Sequence, residues 1–323
     1  MSAIRVLGAL LLLAVAAGAG AQQYPTRNVS MIVPFAAGGP TDTVARVLGQ
    51  AMGKPLGQTV VVENRPSAGG ILGPEQVKNA KPDGYTILIH HIGMATTPTL
   101  YRKLRYNPLA DFEYIGLINE VPMTLIGNDK LPAKNLKELL AFIKANKDKV
   151  NYAHAGIGAA SHLCGMLFMS AIETDLHTIP YKGTGPAMND LLGGQVQLMC
   201  DQTTNTTSHI KSGKVKAYAV TSAKRVPSLP ELPTLAEQGV KGGEVSIWHG
   251  LYAPKGTPKP VLDKLVSSMQ EALKDQNVRA RFAELGAETF PPERQTPAAL
   301  QQHLKAEIDK WAPLIKKAGQ YAD

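Results

Sequence analysis

One unit constrains the fold of this chain more than any other feature: an apolar segment, a glycine-rich turn and the start of a helix. Its four occurrences are VPFAAGGPTDTVARVLG (33–49), NRPSAGGILG (64–73), AHAGIGAASHL (153–163) and YKGTGPAMNDLLGG (181–194). Short apolar runs that alternate with helical patterns are typical of βαβ units and a parallel sheet. We therefore predict an α/β fold.

The patterns further along the chain indicate more than one domain. Strand and helix patterns alternate at 28–35, 41–54, 58–64, 71–80, 83–91, 112–128, 135–149, 150–172, 177–201 and 215–222. The last part differs, with a strand pattern at 245–254 and long amphipathic helical patterns at 259–275 and 297–319. Because this tail has no sheet of its own, we expect it to pack on the first sheet. The chain would then cross between domains near 122–125 and near 246–250.

The glycine-rich turns are candidates for an anion site. The N-terminus of a helix has unpaired N–H groups and a partial positive charge, and glycine lets an anion approach them closely. In an open α/β sheet such turns lie at the carboxyl ends of strands, where ligands bind. The alternative is four ordinary connections, because glycine is common in turns. The patterns alone leave both interpretations open.

The first residues predict export. MSAIRVLGALLLLAVAAGAGA (1–21) has a positive charge at Arg5, then an apolar run, then small residues before a cleavage point after Ala21. The alternative is a membrane anchor, but the apolar run is short for a span of roughly 20 residues. We expect a signal peptide over 1–21 and a mature exported chain that begins near Gln22.

Charge and motifs argue against other functional classes. The net charge is +8, but Lys and Arg are scattered, which gives little support for nucleic-acid binding. The chain lacks G-x-S-x-G, and the adjacent Ser161 and His162 would point about 100° apart on a helix. GIGAAS (156–161) resembles a dinucleotide-binding turn without its third glycine, and His90 and His91 lack metal-ligand spacing. We predict no catalytic residues, no metal and no cofactor.

The two cysteines, Cys164 and Cys200, are candidates for a disulfide. An exported protein meets an oxidising compartment, and both residues fall in the second predicted domain. A helix that crosses its sheet could bring their Cα atoms within the roughly 7 Å that a bridge needs. The alternative is two buried free thiols on apolar stripes, and the sequence leaves both open.

Six segments follow one another along the chain: YPTRNVSMIVPFAAGGPTDTVAR, VVVENRPSAGG, KPDGYTIL, YNPLADFEYIG, YKGTGPAMNDLLGGQV and PKGTPKPVLDKL. In this order they resemble the Bug family, the periplasmic solute-binding receptors of bacterial tripartite tricarboxylate transporters. The resemblance implies a type II periplasmic-binding-protein fold: two lobes with mixed sheets around a central cleft, joined by two crossing strands. It implies a first lobe of residues 22–123 and 248–323 and a second lobe of residues 124–247.

The resemblance also implies the binding residues. Members of the family hold a ligand carboxylate with main-chain amides of facing loops, which correspond here to 35–42, 156–162 and 182–186. Many members have a hydroxyl residue where this chain has Ala159, so one side-chain donor is expected to be missing. With Gly70 and His91 added from the glycine turns and strand ends, the candidate ligand-binding residues are Phe35, Ala36, Ala37, Gly38, Gly39, Thr41, Asp42, Gly70, His91, Gly156, Gly158, Ala159, Ser161, His162, Lys182, Gly183, Thr184 and Asp201.

The function that the resemblance implies is capture of a small carboxylate (mono-, di- or tricarboxylate, aliphatic or aromatic). We expect a monomer that delivers this solute to membrane subunits of a transporter and that is not an enzyme. One alternative is a receptor that reports the solute to a sensor kinase. Another is a secreted enzyme on a similar fold, against which the lack of a positioned nucleophile or metal triad argues. The sequence leaves the solute and the choice between transport and signalling open.

Overall fold

Strands and helices alternate through most of the chain in the computed structural model, which describes residues 24–319, 321 and 322. The predicted signal peptide lies outside the described residues. The strands are β1 (Val29–Val33), β2 (Val60–Asn64), β3 (Thr86–His91), β4 (Phe112–Gly127), β5 (Asn151–His154), β6 (His177–Pro180), β7 (Leu198–Gln202), β8 (Lys216–Val220), β9 (Ser246–Pro254) and β10 (Glu288–Thr289). The α-helices are α1 (Pro40–Leu56), α2 (Leu72–Lys78), α3 (Gly93–Leu100), α4 (Leu136–Asn146), α5 (Ala160–Ala171), α6 (Thr184–Gly193), α7 (Thr203–Lys211), α8 (Lys259–Lys274), α9 (Gln276–Glu284) and α10 (Pro297–Ala318).

The first strand and helix illustrate why these segments fold as they do. β1 is almost continuously apolar and buried, as expected for a strand covered by helices on both faces. α1 begins with Pro40 at its first turn, where the missing N–H costs no hydrogen bond. Its residues Val44, Leu48 and Met52 recur at helical spacing, are fully buried and pack toward the sheet.

The sheet is mixed and follows the order β2-β1-β3-β9-β4-β7-β5-β6, with β8 and β10 also paired to β4. β1 runs parallel to β2 and β3, and β5 runs parallel to β6 and β7. β4 joins the two halves because it changes partners along its length. Residues up to Pro122 pair with β9, and residues from Met123 onward pair with β7 and β8.

The C-terminal helices return to the first half of the sheet. α8 packs against α1 and β4, and α10 packs against α3 and β4. Trp311 and Ile315 of α10 are buried in the same apolar cluster as Leu100 of α3. Among the described residues, no helix has both the length and the apolar character that crossing a bilayer requires.

Three helices, α3, α7 and α9, have no counterpart among the sequence predictions. α7 has the sequence TTNTTSHIK, and threonine is a poor helix former. Burial compensates: Thr203, Thr206 and Thr207 are at most 3% exposed, and the Thr206 hydroxyl is 2.8 Å from that of Thr124. Tertiary packing therefore determines a helix that local propensity does not indicate.

Candidate functional site

A small buried pocket lies between the two halves of the molecule, at the carboxyl ends of β1, β3, β5 and β7. Its volume is about 10 Å³, room for roughly one water molecule, so the cleft is closed. Within the described chain, no Lys or Arg is among its lining residues. These are Phe35, Gly39, Pro40, Thr41, His91, Ala155, Ala159, Ala160, Ser161, Thr184, Asp201 and Gln202.

Four helices begin at this pocket, and none has a capping side chain. The N-cap residues of α1, α5, α6 and α7 are Gly39, Ala159, Gly183 and Gln202, and within the described residues none makes a side-chain cap hydrogen bond. Of the other six α-helices in the described chain, α4, α9 and α10 are capped by the side chains of Asn135, Asp275 and Thr296, and α2, α3 and α8 also begin without a side-chain cap. The first N–H groups of a helix have no acceptor within the helix. The four helix ends therefore provide N–H donors for an anion.

The helix ends are the source of positive charge at the pocket, whose lining also contains the acid Asp201. Each helix N-terminus is equivalent to roughly half a positive charge, and a closed pocket screens it little. The nearby histidines do not add charge, because burial lowers the pKa of His90 to about 4 and that of His249 to about 3. Burial, and then the neighbouring His90 and His249, hold the pKa of His91 well below its usual value.

Three histidines, His90, His91 and His249, pack together beside the pocket, and of these His91 lines it. The ring of His91 stacks on Phe35, with centroids 4.8 Å apart. His249, on β9, places Nδ1 2.9 Å from Asn119 Oδ1 and Nε2 3.3 Å from Thr41 Oγ1. The three histidines are neutral, and the contact between His249 and Thr41 connects them to the start of α1.

Asp42 organises the opening turn and is not among the residues that line the pocket. Its carboxylate accepts hydrogen bonds from the Gly38 N–H (3.0 Å), Arg46 Nε (2.9 Å) and Asn64 Nδ2 (2.9 Å). Burial alone would raise the pKa of Asp42, but these hydrogen bonds keep it below its usual value. Asn64 also donates to the Phe35 carbonyl at 3.0 Å. These hydrogen bonds fix the turn, and its residues Ala37 and Gly38 are exposed to solvent.

The facing loop, 156–162, is shaped by two glycines and by Ser161. Gly156 and Gly158 have φ values of +94° and +86°, which glycine adopts most readily. The Ser161 hydroxyl accepts from the Ala155 N–H at 2.9 Å, and the Ser161 carbonyl accepts from Tyr152 at 2.7 Å. The loop is thereby fixed to the first turn of α5.

The third turn meets the opening turn across the cleft. The side chain of Lys182 is exposed, and its carbonyl accepts a hydrogen bond from the Ala36 N–H at 3.0 Å. A Cβ on Gly183 would lie 2.9 Å from the nitrogen of Ala36. The neighbouring Thr184 is buried and lines the pocket. Lys182 therefore contacts the opening turn through its main-chain carbonyl, while its ammonium group faces solvent.

Asp201 is a buried acid in the pocket lining, 1% exposed. Burial raises its pKa to about 6, against hydrogen bonds from Asn205, Gln202 and Thr184 that lower it. The Asn205 bond is 2.6 Å long. Because Asn205 is on α7 and Thr184 begins α6, the carboxylate holds the two helix ends together.

Cys164 and Cys200 form a disulfide in the structure, with Cα atoms 6.1 Å apart. Cys164 is on α5, and Cys200 precedes Asp201 on β7. The bridge therefore ties the helix that begins at the pocket to the strand that carries the buried acid.

The structure separates the predicted site residues into two groups. Those that line the pocket are Phe35, Gly39, Thr41, His91, Ala159, Ser161, Thr184 and Asp201. Those found around it instead are Ala36, Ala37, Gly38, Asp42, Gly70, Gly156, Gly158, His162, Lys182 and Gly183. Gly70 supports the ring of Phe35, since a Cβ there would lie 2.5 Å from Cζ.

Four lining residues were outside the predicted set: Pro40, Ala155, Ala160 and Gln202. Pro40 and Ala160 lie within the predicted loops 35–42 and 156–162. Ala155 directly precedes the predicted facing loop, and its small side chain gave no signal. Gln202 follows the predicted Asp201, but its position depends on α7, which the sequence patterns do not indicate. In the described part of the chain, no cluster of three or more His, Cys, Asp or Glu side chains is placed to hold a metal.

Comparison with known proteins gives consistent matches over nearly the whole chain. A family model described as tripartite tricarboxylate transporter family receptor matches residues 44–320. A protein of the TAR-I ttuE-ttuC' intergenic region of Agrobacterium vitis is 50% identical over 297 residues, 92% of this chain and 86% of the relative. The solved structure of periplasmic binding protein BugD has a TM-score of 0.91 at 58% identity and covers 93% of this chain and 100% of its own. MatC from Rhodopseudomonas palustris with bound malate has a TM-score of 0.87 at 40% identity and covers 90% of this chain and 100% of its own. The predicted two-lobed periplasmic-binding-protein fold is confirmed.

Proposed function

The chain belongs to the tripartite tricarboxylate transporter receptor family, whose members are solute-binding receptors and not enzymes, and from this premise we propose that it captures a small carboxylate and delivers it to the membrane subunits of such a transporter. The observation that carries the proposal is the convergence of four uncapped helix N-termini on one closed pocket. A carboxylate suits them because it accepts several N–H bonds and its charge is favoured by the helix dipoles. MatC, a neighbour in structure, binds malate.

Capture proceeds by closure of two lobes. We assign residues 22–123 and 248–323 to the first lobe and residues 124–247 to the second. The boundary in β4, between residues 123 and 124, is one residue from the point where the strand changes partner, between Pro122 and Met123. In an open state the pocket faces solvent. Closure brings α1 of the first lobe against α7 and the start of α6 of the second. Hinge closure around a ligand is the usual motion of such proteins.

The proposed location of the receptor is the periplasm. The signal peptide predicted over 1–21 sends the mature chain, from Gln22 onward, to the periplasm. There the receptor meets solutes before the transporter does. We propose that it acts as a monomer, with the membrane subunits as its macromolecular partners.

A ligand-screened thermal shift assay on the mature chain tests the binding proposal. The panel comprises acetate, succinate, L-malate, L-aspartate, adipate, citrate, benzoate and terephthalate. A solute at about a hundred times its dissociation constant should stabilise the fold by about 2.7 kcal/mol, which raises Tm by several degrees. Succinamide and malamide, which keep the shape without the charge, are the controls and should give no shift.

Two outcomes decide the proposal. A panel in which no carboxylate raises Tm would contradict carboxylate capture. If a carboxylate binds, delivery is tested by uptake of the radiolabelled solute into spheroplasts that have lost their periplasm. Added receptor should restore uptake, and unchanged uptake would favour a role outside transport.

A further inference from the structure

Beside the pocket, the first lobe contacts the 155–158 loop through three hydrogen bonds. The Gly69 N–H donates to the Ala155 carbonyl at 2.8 Å, and the Tyr101 hydroxyl donates to the Ile157 carbonyl at 2.8 Å. The Thr96 hydroxyl donates to the Gly158 carbonyl at 2.7 Å. Every donor is in the first lobe and every acceptor is in the second. Together these contacts fix the loop that precedes α5.

Tyr101 fits this interface closely in shape. A Cβ on Gly69 would overlap the Tyr101 hydroxyl, and a Cβ on Gly158 would lie 3.4 Å from the Tyr101 ring. The phenol ring of Tyr101 therefore packs against Gly69 of the first lobe and Gly158 of the second. Within the described chain, Tyr101 and Ile157 are not among the residues that line the pocket. The contact is therefore formed by closure and not by the solute.

We propose that Tyr101, with Thr96 and the Gly69 N–H, forms an interlobe latch that stabilises the closed state without touching the solute. This inference rests on the proposed function, because it supposes that the solute is held by closure. When the lobes separate, the three carbonyl groups are hydrated and the latch is lost. Tyr101 is a positioning residue: it acts through the loop that begins α5.

The latch has a consequence that a ligand contact does not share. A solute shifts the equilibrium toward the closed state, and its apparent affinity depends on the stability of that state. A weaker latch should raise the dissociation rate by the same factor for every solute. A residue that touches the solute would change the factor from one solute to another.

Two pairs of neighbouring residues provide matched variants. Tyr101→Phe removes the bond across the cleft, whereas Tyr106→Phe removes a bond to Thr97 inside the first lobe, 3.1 Å long. Thr96→Val likewise removes an interlobe bond. Thr97→Val, its control, removes a 2.8 Å bond to the Gly93 carbonyl within the lobe. All four changes delete one hydroxyl and keep the side-chain volume.

The first measurement is the dissociation rate of L-malate and of each other carboxylate that the wild type binds. Tyr101→Phe and Thr96→Val should each raise it about 3- to 10-fold, the effect expected for one neutral hydrogen bond. The factor should be equal for all solutes, and the two control variants should stay within twofold of wild type. Dissociation rates that are the same in Tyr101→Phe and Tyr106→Phe would overturn the latch.

The second measurement needs no solute. The Gly69 N–H is protected only while the lobes are closed, so its hydrogen exchange reports opening. Exchange in the peptide that contains Gly69 should accelerate 3- to 10-fold in Tyr101→Phe and not in Tyr106→Phe. Equal rates in the two variants, or a wild-type amide that exchanges like an unstructured peptide, would overturn the latch. Failure of the wild type to bind any carboxylate would instead contradict the proposed function.

Discussion

Gly156→Ala should produce a receptor that folds but does not close. Gly156 lies where the facing loop meets the 3₁₀ turn at Ala68–Gly70 of the first lobe. A Cβ at this position would overlap the Gly69 nitrogen and lie 2.6 Å from the carbonyl carbon of Ala68. Those atoms are backbone of the opposite lobe, so they cannot move aside as a flexible side chain would. The methyl group has room only when the lobes separate.

The size of the effect follows from these distances. Ordinary carbon contacts are about 3.5–4.0 Å, so the lobes must part by about 1 Å at Ala68. The 2.8 Å bonds from Gly69 and Tyr101 would then be about 3.8 Å long, beyond hydrogen-bonding range. Loss of the three bonds that join the first lobe to the 155–158 loop, at about 1 kcal/mol each, amounts to about 3 kcal/mol. This corresponds to roughly a 100-fold loss of affinity.

Gly213→Ala is the matched control. Gly213 has a φ of +67°, yet a Cβ there would meet nothing within 4 Å. Both variants carry the backbone cost of a non-glycine residue at positive φ, about 1–2 kcal/mol. We expect similar small losses of Tm, but only Gly156→Ala should lose affinity in calorimetry and fail to contract with solute in small-angle scattering. Wild-type affinity in Gly156→Ala would refute the geometry of closure on which this expectation rests.

Two further predictions concern the second lobe. The raised pKa of Asp201, about 6 against about 3.9 unfolded, should make the stability of wild type relative to Asp201→Asn fall by about 2–3 kcal/mol as pH rises from 4 to 7; a pH-independent difference in urea unfolding would contradict the cause assigned to that shift. The Cys164–Cys200 bridge closes 36 residues, so the double alanine variant should lose about 3–4 kcal/mol in the chain-entropy description. Alkylation of both thiols in unreduced periplasmic protein, detected by mass spectrometry, would show that the bridge does not form there.

The sequence was sufficient for the fold class because its strongest signals are periodic. Apolar runs such as that of β1 and amphipathic runs such as those of α8 and α10 are local patterns. They can be recognised in the sequence without knowledge of tertiary contacts. α7 carries no such pattern. Its threonines are helical because Thr206 meets Thr124 of β4 and Thr203 meets the Gly286 carbonyl, contacts that no window of sequence contains.

Within the site, the sequence predicted which turns reach the pocket better than it predicted which side chains point into it. Gly39, Thr41 and Thr184 are at turns that the glycine pattern marks, and they line the pocket. Asp42 and Lys182 are in the same turns, yet one carboxylate is bonded to its own loop and one ammonium faces solvent. Whether a polar side chain points into a cleft depends on its partners, which for Asp42 are Arg46, four residues further along α1, and Asn64, 22 residues away on β2.

The lack of side-chain caps on the four helices that begin at the pocket relates their sequence to both stability and function. Ser, Thr, Asp or Asn at an N-cap stabilises a helix by about 0.5–2 kcal/mol, and this chain uses Asn135 and Thr296 in that way far from the cleft. At the pocket the N-caps are Gly39, Ala159, Gly183 and Gln202, none of which caps its helix with a side chain. A hydroxyl or carboxylate at these positions would take the N–H groups that a solute carboxylate needs. The four helices are thus less stable at their ends than they could be, and the donors left unused there are those that a bound anion would satisfy.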